Sequence, residues 1–265
     1  MLDWLAAEFV SSGWDRKRLH RMIVTSATYC QSSLHDQGSL DPHNRWLARA
    51  PRRRLSAEMI RDHVLAASRL LDGRLGGRSV PPWQPAGLWR DVSFHDKYTA
   101  QVFTASVGGD AHRRSVYTFY KRACPPPTLA LFDIADRNVC AVGRGETNSP
   151  LQALALMNDR IFQTASLAIA GDLLRIPRSE RFDEAALRLF SRRLEARERD
   201  VLDSYVESQL EIWRDSPDRA REFISSIGGA DAPANVDSQR EVVELAVWSL
   251  AVQAMICSDA ALVRN

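Results

Sequence analysis

Charged side chains that could do chemistry are concentrated in the segment 132–159, directly before and within one strongly signalled helix. Asp133, Asp136 and Arg137 precede this helix, and Asn158 lies inside it. A carboxylate can act as a general base, and an arginine can hold an anion or an oxyanion. These four residues are therefore our candidate catalytic residues, with one aspartate as the base and Arg137 as the clamp.

The start of this helix is marked by a capping box. Ser149 is followed by Pro150 at the first helical position, and Gln152 stands three residues after the serine. Apolar residues then recur at spacings of three and four, which predicts one helix continuing past residue 160 with this stripe buried: Leu151, Leu154, Met157, Ile161, Ala165 and Ala168. Asn158 would interrupt the apolar helix and would need partners from the loop before it, because an unsatisfied buried amide costs roughly 1–3 kcal/mol.

Two interpretations of this polar cluster are open. In both, Asp133, Arg137, Thr147 and Asn158 converge around the helix N-terminus, whose amides attract anions. Under the first, Asp133 occupies this position itself and the polar groups only tie a loop to a helix. Under the second, the helix end is open and binds a carboxylate, a sulfate or a sugar acid. We favour the first.

The segment also carries a family resemblance. Together with the preceding residues 113–127 (RRSVYTFYKRACPPP), it resembles the planctomycete cytochrome-c-associated domain of unknown function, domain of unknown function 1553. The matching positions are Arg114, Ser115, Tyr117, Thr118, Phe119, Lys121, Arg122, Pro125, Pro126, Pro127, Phe132, Asp133, Arg137, Cys140, Thr147, Asn148, Pro150, Leu151, Gln152, Ala153, Leu154, Asn158 and Asp159. Residues 2–33 and 52–89 are similar to earlier blocks of that family.

The resemblance implies a setting for the chain. Family members are the C-terminal part of exported multidomain proteins that contain c-type cytochrome domains. It therefore implies export to the periplasm or cell surface and a cytochrome-c-like domain as partner, with haem c in that separate domain. A glycan or an anionic small molecule is a candidate ligand. Within the matching blocks, Arg114, Tyr117, Thr147 and Gln152 are the candidate binding residues.

Composition excludes several classes of function. The formal net charge is +2, which provides no global electrostatic reason to bind nucleic acid or a membrane surface. No apolar run approaches the roughly 20 residues that a membrane span needs. No signal-peptide pattern opens the chain, and Met1 already lies within a helical pattern, so we expect a piece of a longer protein.

Metal, haem and disulfide signals are weak. Cys30, Cys124, Cys140 and Cys257 form neither C-x-x-C nor C-x-x-C-H, so we expect no zinc ribbon and no covalent haem in this chain. A disulfide between Cys124 and Cys140 is one alternative, and free buried thiols are favoured. The loop with His35, Asp36, Asp41 and His43 could bind a metal in principle, but we expect a solvated loop and no metal site.

Two further patterns have structural explanations that we favour. The basic run Arg52–Arg54 could contact phosphate or an acidic glycan, although a solvated helix entrance is the simpler interpretation. Trp83 and Trp89 could stack on a sugar ring, although packing over a loop is the expected role. No G-x-S-x-G elbow or phosphate-binding glycine loop is present.

The patterns together predict a mainly α protein with one small β-hairpin and a C-terminal helical bundle. Helices are expected to begin at Leu2, Asp15, Asp41, Ser56, Ser149, Asp183, Ser216 and Asp237. The one from Asp183 is expected to reach about Glu198, with a continuation to Trp213 as the alternative. The segments 98–107 and 115–120 are rich in Tyr, Phe, Val and Thr, which predicts the hairpin, with its turn at Gly108–Asp110. We predict a family core domain over residues 1–177 and the bundle over residues 178–265.

Two functions from different classes follow. The first is a non-catalytic helical module of an exported, cytochrome-linked multidomain protein, serving assembly or ligand contact. The second is a hydrolase that acts on polysaccharide-derived material. No fixed pair of nucleophile and base is recognisable, so we rank the module first. Asp133 and Arg137 facing solvent in a pocket would favour the enzyme, whereas their burial in mutual pairing would favour the module.

Overall fold

The computed structural model describes residues 1–33, 41–92, 102–137, 140, 142–228 and 238–264. The fold is mainly α, as predicted, with 58% of the described residues in helices. Two strands of two residues each, β1 (Arg53–Arg54) and β2 (Val263–Arg264), pair with each other. The α-helices of the described residues are α1 (Leu2–Ser11), α2 (Arg16–Val24), α3 (Ala57–Ala67), α4 (Leu88–Asp91), α5 (Pro127–Leu131), α6 (Pro150–Asn158), α7 (Arg160–Leu173), α8 (Arg178–Phe190), α9 (Ala196–Arg214), α10 (Pro217–Gly228), α11 (Gln239–Ile256) and α12 (Asp259–Leu262).

The chain divides into two compact units, and the first comprises residues 1–53 with 263–265. Its helices α1 and α2 are joined by a turn in which Gly13 has a φ of +70°, a conformation that glycine adopts without steric cost. Asp15 caps α2 by accepting the N–H groups of Lys17 and Arg18, as predicted. Neither helix buries a residue.

The helix predicted from Asp41 is wrong. Residues 41–49 form turns, because both oxygens of the Asp41 carboxylate accept backbone N–H groups, from Arg45 and from Trp46, each at 2.7 Å. Asn44 and Leu47 have φ values of 52° and 56°, which a right-handed helix does not allow. The local side-chain bonds therefore replace helical ones.

The second unit, residues 54–262, is built around α11. This helix packs against α7 most extensively, and also against α9 and α10. It is buried on nearly every side, and its Trp248 is 1% exposed and lies 4.8 Å from the ring of Phe182. Helix α3 adds a second layer on α7, with Ile60 and Val64 buried. Ser56 caps α3, as predicted. This core holds the rest of the unit in place.

The long helix predicted from Ser149 is broken in two. Asp159 has an extended conformation, and its carboxylate accepts the Ile161 N–H at 2.9 Å as the cap of α7. Thr128 donates its hydroxyl to the same carboxylate from α5. Asp159 therefore ends α6 and starts α7, so that the chain changes direction within an apolar run.

The predicted apolar stripe is consequently wrong in α6. Leu151, Leu154 and Met157 are 61%, 55% and 54% exposed, whereas Gln152 and Leu156 are buried. Helix α6 is apolar on almost every face, so periodicity alone does not select the side that packs. The stripe is correct within α7 at Ala165, which is fully buried.

The predicted β-hairpin is absent from the described part of its sequence. Residues 93–101 lie outside the described residues, and residues 102–120 contain short 3₁₀ turns at Gly108–His112 and Ser115–Tyr117. The backbone of this segment pairs instead with an earlier loop. The Val80 N–H donates to the Tyr117 carbonyl, and the Phe119 N–H donates to Val80, both at 2.8 Å.

The C-terminal region also differs from the prediction in detail. The helix predicted from Asp183 begins at Arg178 and ends at Phe190, because the following residue, Ser191, has a φ of 56°. Helix α9 is therefore a separate helix. The predicted boundary between residues 177 and 178 falls inside the second compact unit. No helix among the described residues is both long and apolar enough to cross a membrane.

Candidate functional site

Asp133 is held in place by Arg54 and Thr147. Arg54 Nη2 lies 2.6 Å from the Asp133 carboxylate. The Thr147 N–H donates to this carboxylate at 2.8 Å, and the Thr147 hydroxyl lies 2.9 Å from it. The Arg54 and Asp133 side chains are 12% and 20% exposed. Asp133 thus already has charged and neutral donors, and it adopts a φ of 60° that suits a turn.

Gln152 connects the same cluster to the start of α6. It is 4% exposed, and its amide nitrogen donates to the Leu131 carbonyl at 2.8 Å and the Thr147 hydroxyl at 2.9 Å. Its amide oxygen accepts the Ser149 N–H at 3.3 Å and Arg54 Nη1 at 3.0 Å. The predicted capping box is therefore present, and its glutamine is also a central part of the tertiary structure.

The electrostatics of Asp133 favour a permanent carboxylate. Partial burial raises the pKa of Asp133, but the hydrogen bonds from Thr147 and the charge of Arg54 lower the pKa by more, and the net shift is downward. A general base needs a pKa near the working pH and a free oxygen. Asp133 meets neither condition in this arrangement, so its geometry is that of a structural ion pair.

The other three candidate catalytic residues do not join this cluster. Asn158 is exposed and donates to the Leu154 carbonyl of its own helix at 2.8 Å, so the expectation of a buried Asn158 served by the preceding loop is wrong. Asp136 is exposed. Arg137 is exposed as well, and its guanidinium lies over the ring of Tyr120, 4.7 Å from the centroid.

The candidate binding residues are divided between two places. Thr147 and Gln152 belong to the Arg54–Asp133 cluster. Tyr117 accepts the Gly76 N–H on its hydroxyl at 2.6 Å, and the guanidinium of Arg113 lies 3.9 Å from its ring centroid. Tyr117 therefore stabilises the loop of residues 72–80. Arg114, by contrast, has a half-exposed side chain and is among the residues that line an open cleft.

Arg114 and Arg137 line an open cleft of about 1000 Å³ in the second unit. One wall is the exposed side of α3, opposite the side that packs on α7, and the other walls come from the segments 114–120, 129–137 and Arg144. The cleft contains three arginines, two carboxylates and a histidine among apolar side chains. Its lining consists of Leu55, Ser56, Glu58, Met59, Asp62, His63, Ala66, Leu71, Arg114, Ser115, Val116, Thr118, Tyr120, Leu129, Ile134, Arg137 and Arg144.

The two carboxylates of the cleft are already compensated. Glu58 pairs with Arg144 at 2.6 Å. Burial raises the pKa of Glu58, but Arg144, the backbone N–H of Glu58 and the side chain of Ser56 lower this pKa by more, and the net shift is downward. Asp62 accepts the Ser115 N–H at 2.7 Å and lies 3.6 Å from the buried Arg61 and 4.0 Å from Arg114.

Arg137 makes no ion pair with any described residue. With Arg114 and Arg144, the cleft has three cations against two carboxylates, so it carries an excess of positive charge that an anion can compensate.

Several of these residues were missed in the sequence. Arg54 belongs to the basic run that we interpreted as a solvated helix entrance, and this interpretation is wrong for Arg54. Arg61 was not singled out, although it is 6% exposed and donates to the carbonyls of Ala111 and Arg113 at 2.6 and 2.7 Å. A signal for Arg61 was available, because it lies on the apolar stripe of α3, where a charged residue needs fixed partners. Glu58, Asp62 and Arg144 had no such signal.

The tryptophans, the cysteines and the loop with His35 were the remaining patterns in the sequence. Trp89 packs against the rings of Phe103 and Phe119 at 4.9 and 5.7 Å. The four cysteines are free, and Cys30 and Cys140 are exposed, so the favoured burial does not hold for these two. His35 and Asp36 lie outside the described residues. Asp41, in the described part of the loop, accepts the N–H groups of Arg45 and Trp46.

A comparison with known proteins identifies one family. The sequence model described as PSD1, protein of unknown function (DUF1553), matches residues 1–206, which include the Arg54–Asp133 cluster and every residue of the cleft. No curated protein and no solved structure matches the chain.

Proposed function

The chain belongs to the DUF1553 family, and we propose that it is a non-catalytic helical module of an exported, cytochrome-linked multidomain protein whose cleft contacts a ligand. The ligand is a glycan or an anionic small molecule. Haem c belongs to a separate domain, because the cysteines of this chain have no C-x-x-C-H spacing that could attach it. The family resemblance supports export and the cytochrome partner.

The observation that carries the ligand role is the excess of arginine in the cleft. Arg114, Arg137 and Arg144 approach from different segments of the chain, and among the described residues Arg137 has an aromatic contact but no ion pair. A guanidinium presents several N–H donors in a planar fork that suits carboxylate or sulfate. Such a site binds an anion without needing a chemical step.

The second candidate is the hydrolase. The pairing of Asp133 with Arg54 and Thr147 argues against Asp133 as its base. What favours a hydrolase is the presence of Asp62 and His63 on the cleft wall, since adjacent acid and imidazole groups can transfer protons. However, Asp62 accepts the Ser115 N–H, and His63 Nε2 lies 2.9 Å from the Leu189 carbonyl. Both groups have structural partners, so we rank the binding module first.

Calorimetric titration tests the ligand role with three anions: galacturonate, sulfate and 4-phenylbutyrate. We expect at least one to bind, and Arg137→Ala to weaken that binding about ten-fold or more, which corresponds to about 1.4 kcal/mol, a usual value for a charge-assisted hydrogen bond. Arg197→Ala is the matched control, because Arg197 is exposed on α9 outside the cleft. Absence of binding by all three anions would remove the ligand role.

The same protein should be incubated with polygalacturonate and assayed for new reducing ends. We expect none. Release of reducing ends that is lost in Asp62→Asn or His63→Gln would place the hydrolase first. For the cytochrome link, the native protein should be immunopurified from its own cells and stained for covalent haem. A haem-stained polypeptide that also yields peptides of this chain supports the proposal, and a haem-free polypeptide overturns it.

A further inference from the structure

The chemistry of the cleft narrows its ligand further. Resting on the proposed function, we propose that the ligand is a small carboxylic acid with an apolar body rather than a free sugar acid or an inorganic anion. Its carboxylate is held by Arg137 and Arg114, and its apolar body lies along the exposed side of α3 and the segment 114–120.

Arg137 supplies the anchor. The carbon of its guanidinium lies over the Tyr120 ring, 4.7 Å from the centroid. A guanidinium held against an aromatic ring has lost part of its conformational freedom before it binds, and its N–H edges remain able to pair with a carboxylate. Arg114 is the second donor, because its only ion pair with a described residue is the long 4.0 Å contact with Asp62.

The apolar part of the cleft sets the preference between anions. Met59 is 60% exposed and Val116 is 70% exposed, although both line this concave surface. Leu71 and Ile134 add partly covered apolar area, and Leu129 is the buried side chain behind them. A sulfate leaves this surface in water, and a hydroxylated sugar ring covers it poorly. A hydrocarbon body removes this surface from water, which stabilises the complex by about 25 cal/mol for each Å² of apolar surface buried.

Arg144 contributes to selectivity by forming an ion pair with Glu58. The 2.6 Å pair between Arg144 and Glu58 neutralises the carboxylate on the N-terminal turn of α3. Without Arg144, Glu58 would face an incoming anion as an uncompensated negative charge and would repel it. Arg144 therefore acts as a positioning residue for the charge balance of the cleft.

The test compares 4-phenylbutyrate, its neutral amide 4-phenylbutyramide, galacturonate and sulfate in calorimetric titrations of the whole chain. We expect 4-phenylbutyrate to bind at least ten-fold more tightly than each of the other three. The amide keeps the apolar body but lacks the carboxylate, and galacturonate keeps the carboxylate but lacks the apolar body. Each comparison therefore measures the contribution of the missing part to the affinity. Equal affinity for 4-phenylbutyrate and galacturonate, or for the acid and its amide, would overturn this inference.

Two cleft variants make the test specific. Met59→Gln keeps the length of an exposed side chain but makes it polar, and we expect it to weaken 4-phenylbutyrate several-fold while galacturonate is unchanged. Arg137→Ala should weaken both carboxylates and leave the amide unchanged. Arg197→Ala should change none of the four affinities. Identical losses for 4-phenylbutyrate and galacturonate in Met59→Gln would contradict an apolar contact.

The outcomes separate this inference from the proposed function. If galacturonate or sulfate binds through Arg137 but 4-phenylbutyrate has no advantage, the cleft is a ligand site of another chemistry and only the present inference fails. If no anion binds, both fail. Circular dichroism of each variant checks that the helical fold is intact, so that a lost affinity is assigned to the cleft.

Discussion

At the scale of single residues, the structure assigns different roles to groups that look alike in the sequence. Asp133 and Asp136 are neighbours of the same type, but the Asp133 carboxylate is partly buried beside an arginine and a backbone N–H, whereas Asp136 is exposed. Arg54 and Arg137 are both arginines near this loop. Arg54 is largely buried in a structural cluster, whereas Arg137 is exposed in the cleft. Partners and exposure, rather than residue type, decide the role.

The ion pair of Asp133 makes stability depend on pH. Because the folded pKa of Asp133 lies below the ordinary value of 3.8, its contribution is present above pH 4 and is lost as the pH falls through the folded pKa. We expect Asp133→Asn to lower the melting temperature at pH 6 and to differ less from the wild type near pH 3. Asparagine also tolerates the positive φ at this position, so the variant isolates the charge.

Asp218→Asn is the control for this measurement, since the Asp218 side chain is 95% exposed. We also expect Asp133→Ala to destabilise by more than the roughly 0.5 kcal/mol of a neutral surface change. Melting curves of Asp133→Ala and Asp133→Asn that match the wild type at every pH would show that the pair with Arg54 contributes nothing.

The thiols should differ in reactivity. Burial raises the pKa of Cys257 to about 11, so almost no thiolate is present at pH 8, whereas Cys30 and Cys140 are exposed. We expect a thiol reagent such as DTNB to label Cys30 and Cys140 in the native protein and Cys257 only after unfolding. Peptide mapping identifies the labelled positions. Rapid native labelling of Cys257 would mean that the end of α11 opens.

At the scale of elements, each helix start is a local feature. The tertiary contacts of the capping residues determine how much stability is lost when one of them is replaced. Ser149 caps α6 from a half-buried position. Gln152 of the same box is buried and joins Leu131, Thr147 and Arg54. The two residues are therefore equivalent in the sequence motif, but in the folded chain Gln152 makes more tertiary contacts than Ser149.

Ser149→Ala should destabilise the protein by about 1 kcal/mol, the usual cost of losing a capping hydroxyl. From the capping box alone, Gln152→Ala is expected to cost less. The structure reverses this order: Gln152→Ala should cost more than Ser149→Ala, because it removes the side-chain donor of the Leu131 carbonyl and one of the acceptors of the partly buried Arg54. Chemical denaturation of the two variants and the double variant checks this. Fully additive losses would mean that the two residues do not share a box.

At the scale of the whole molecule, the second unit depends on its C-terminal helices. Helix α11 contacts α7, α9 and α10, and Trp248 is buried against Phe182 of α8. The family match ends at residue 206, before α10 and α11. The cleft residues all lie before that point, but the helix α7 on which α3 packs needs α11 to cover its other side.

We therefore expect a chain ending at residue 206 to lose cooperative unfolding, although it contains the whole cleft. Thermal melting followed by circular dichroism measures this. In the complete chain, Trp248→Ala should destabilise by about 3–5 kcal/mol, while Val201→Ala, at a 63% exposed position of α9, should cost far less. A sharp native-like melting transition in the shortened chain would show that residues 54–206 form a core without α11.

The sequence by itself determined the mainly helical class, the family, and the helix starts at Asp15, Ser56 and Ser149. These features are local, because a capping side chain bonds amides two or three residues away and an apolar period follows from the geometry of one helix. Where local signals compete, the sequence was insufficient. Asp159 ended a helix inside an apolar run, and residues rich in β-formers paired with a distant loop instead of forming a hairpin.

Only the tertiary structure decided the site. Arg54 reaches Asp133 across 79 positions of sequence, and Glu58 reaches Arg144 across 86. Neither spacing leaves a periodic or a motif signal, since only the tertiary packing of their segments brings the partners together. The same packing placed Arg137 in a cleft and left Asn158 on the surface. Burial and pairing depend on the assembled core, and for this reason the sequence named Arg137 as a candidate but could not separate it from Asp133.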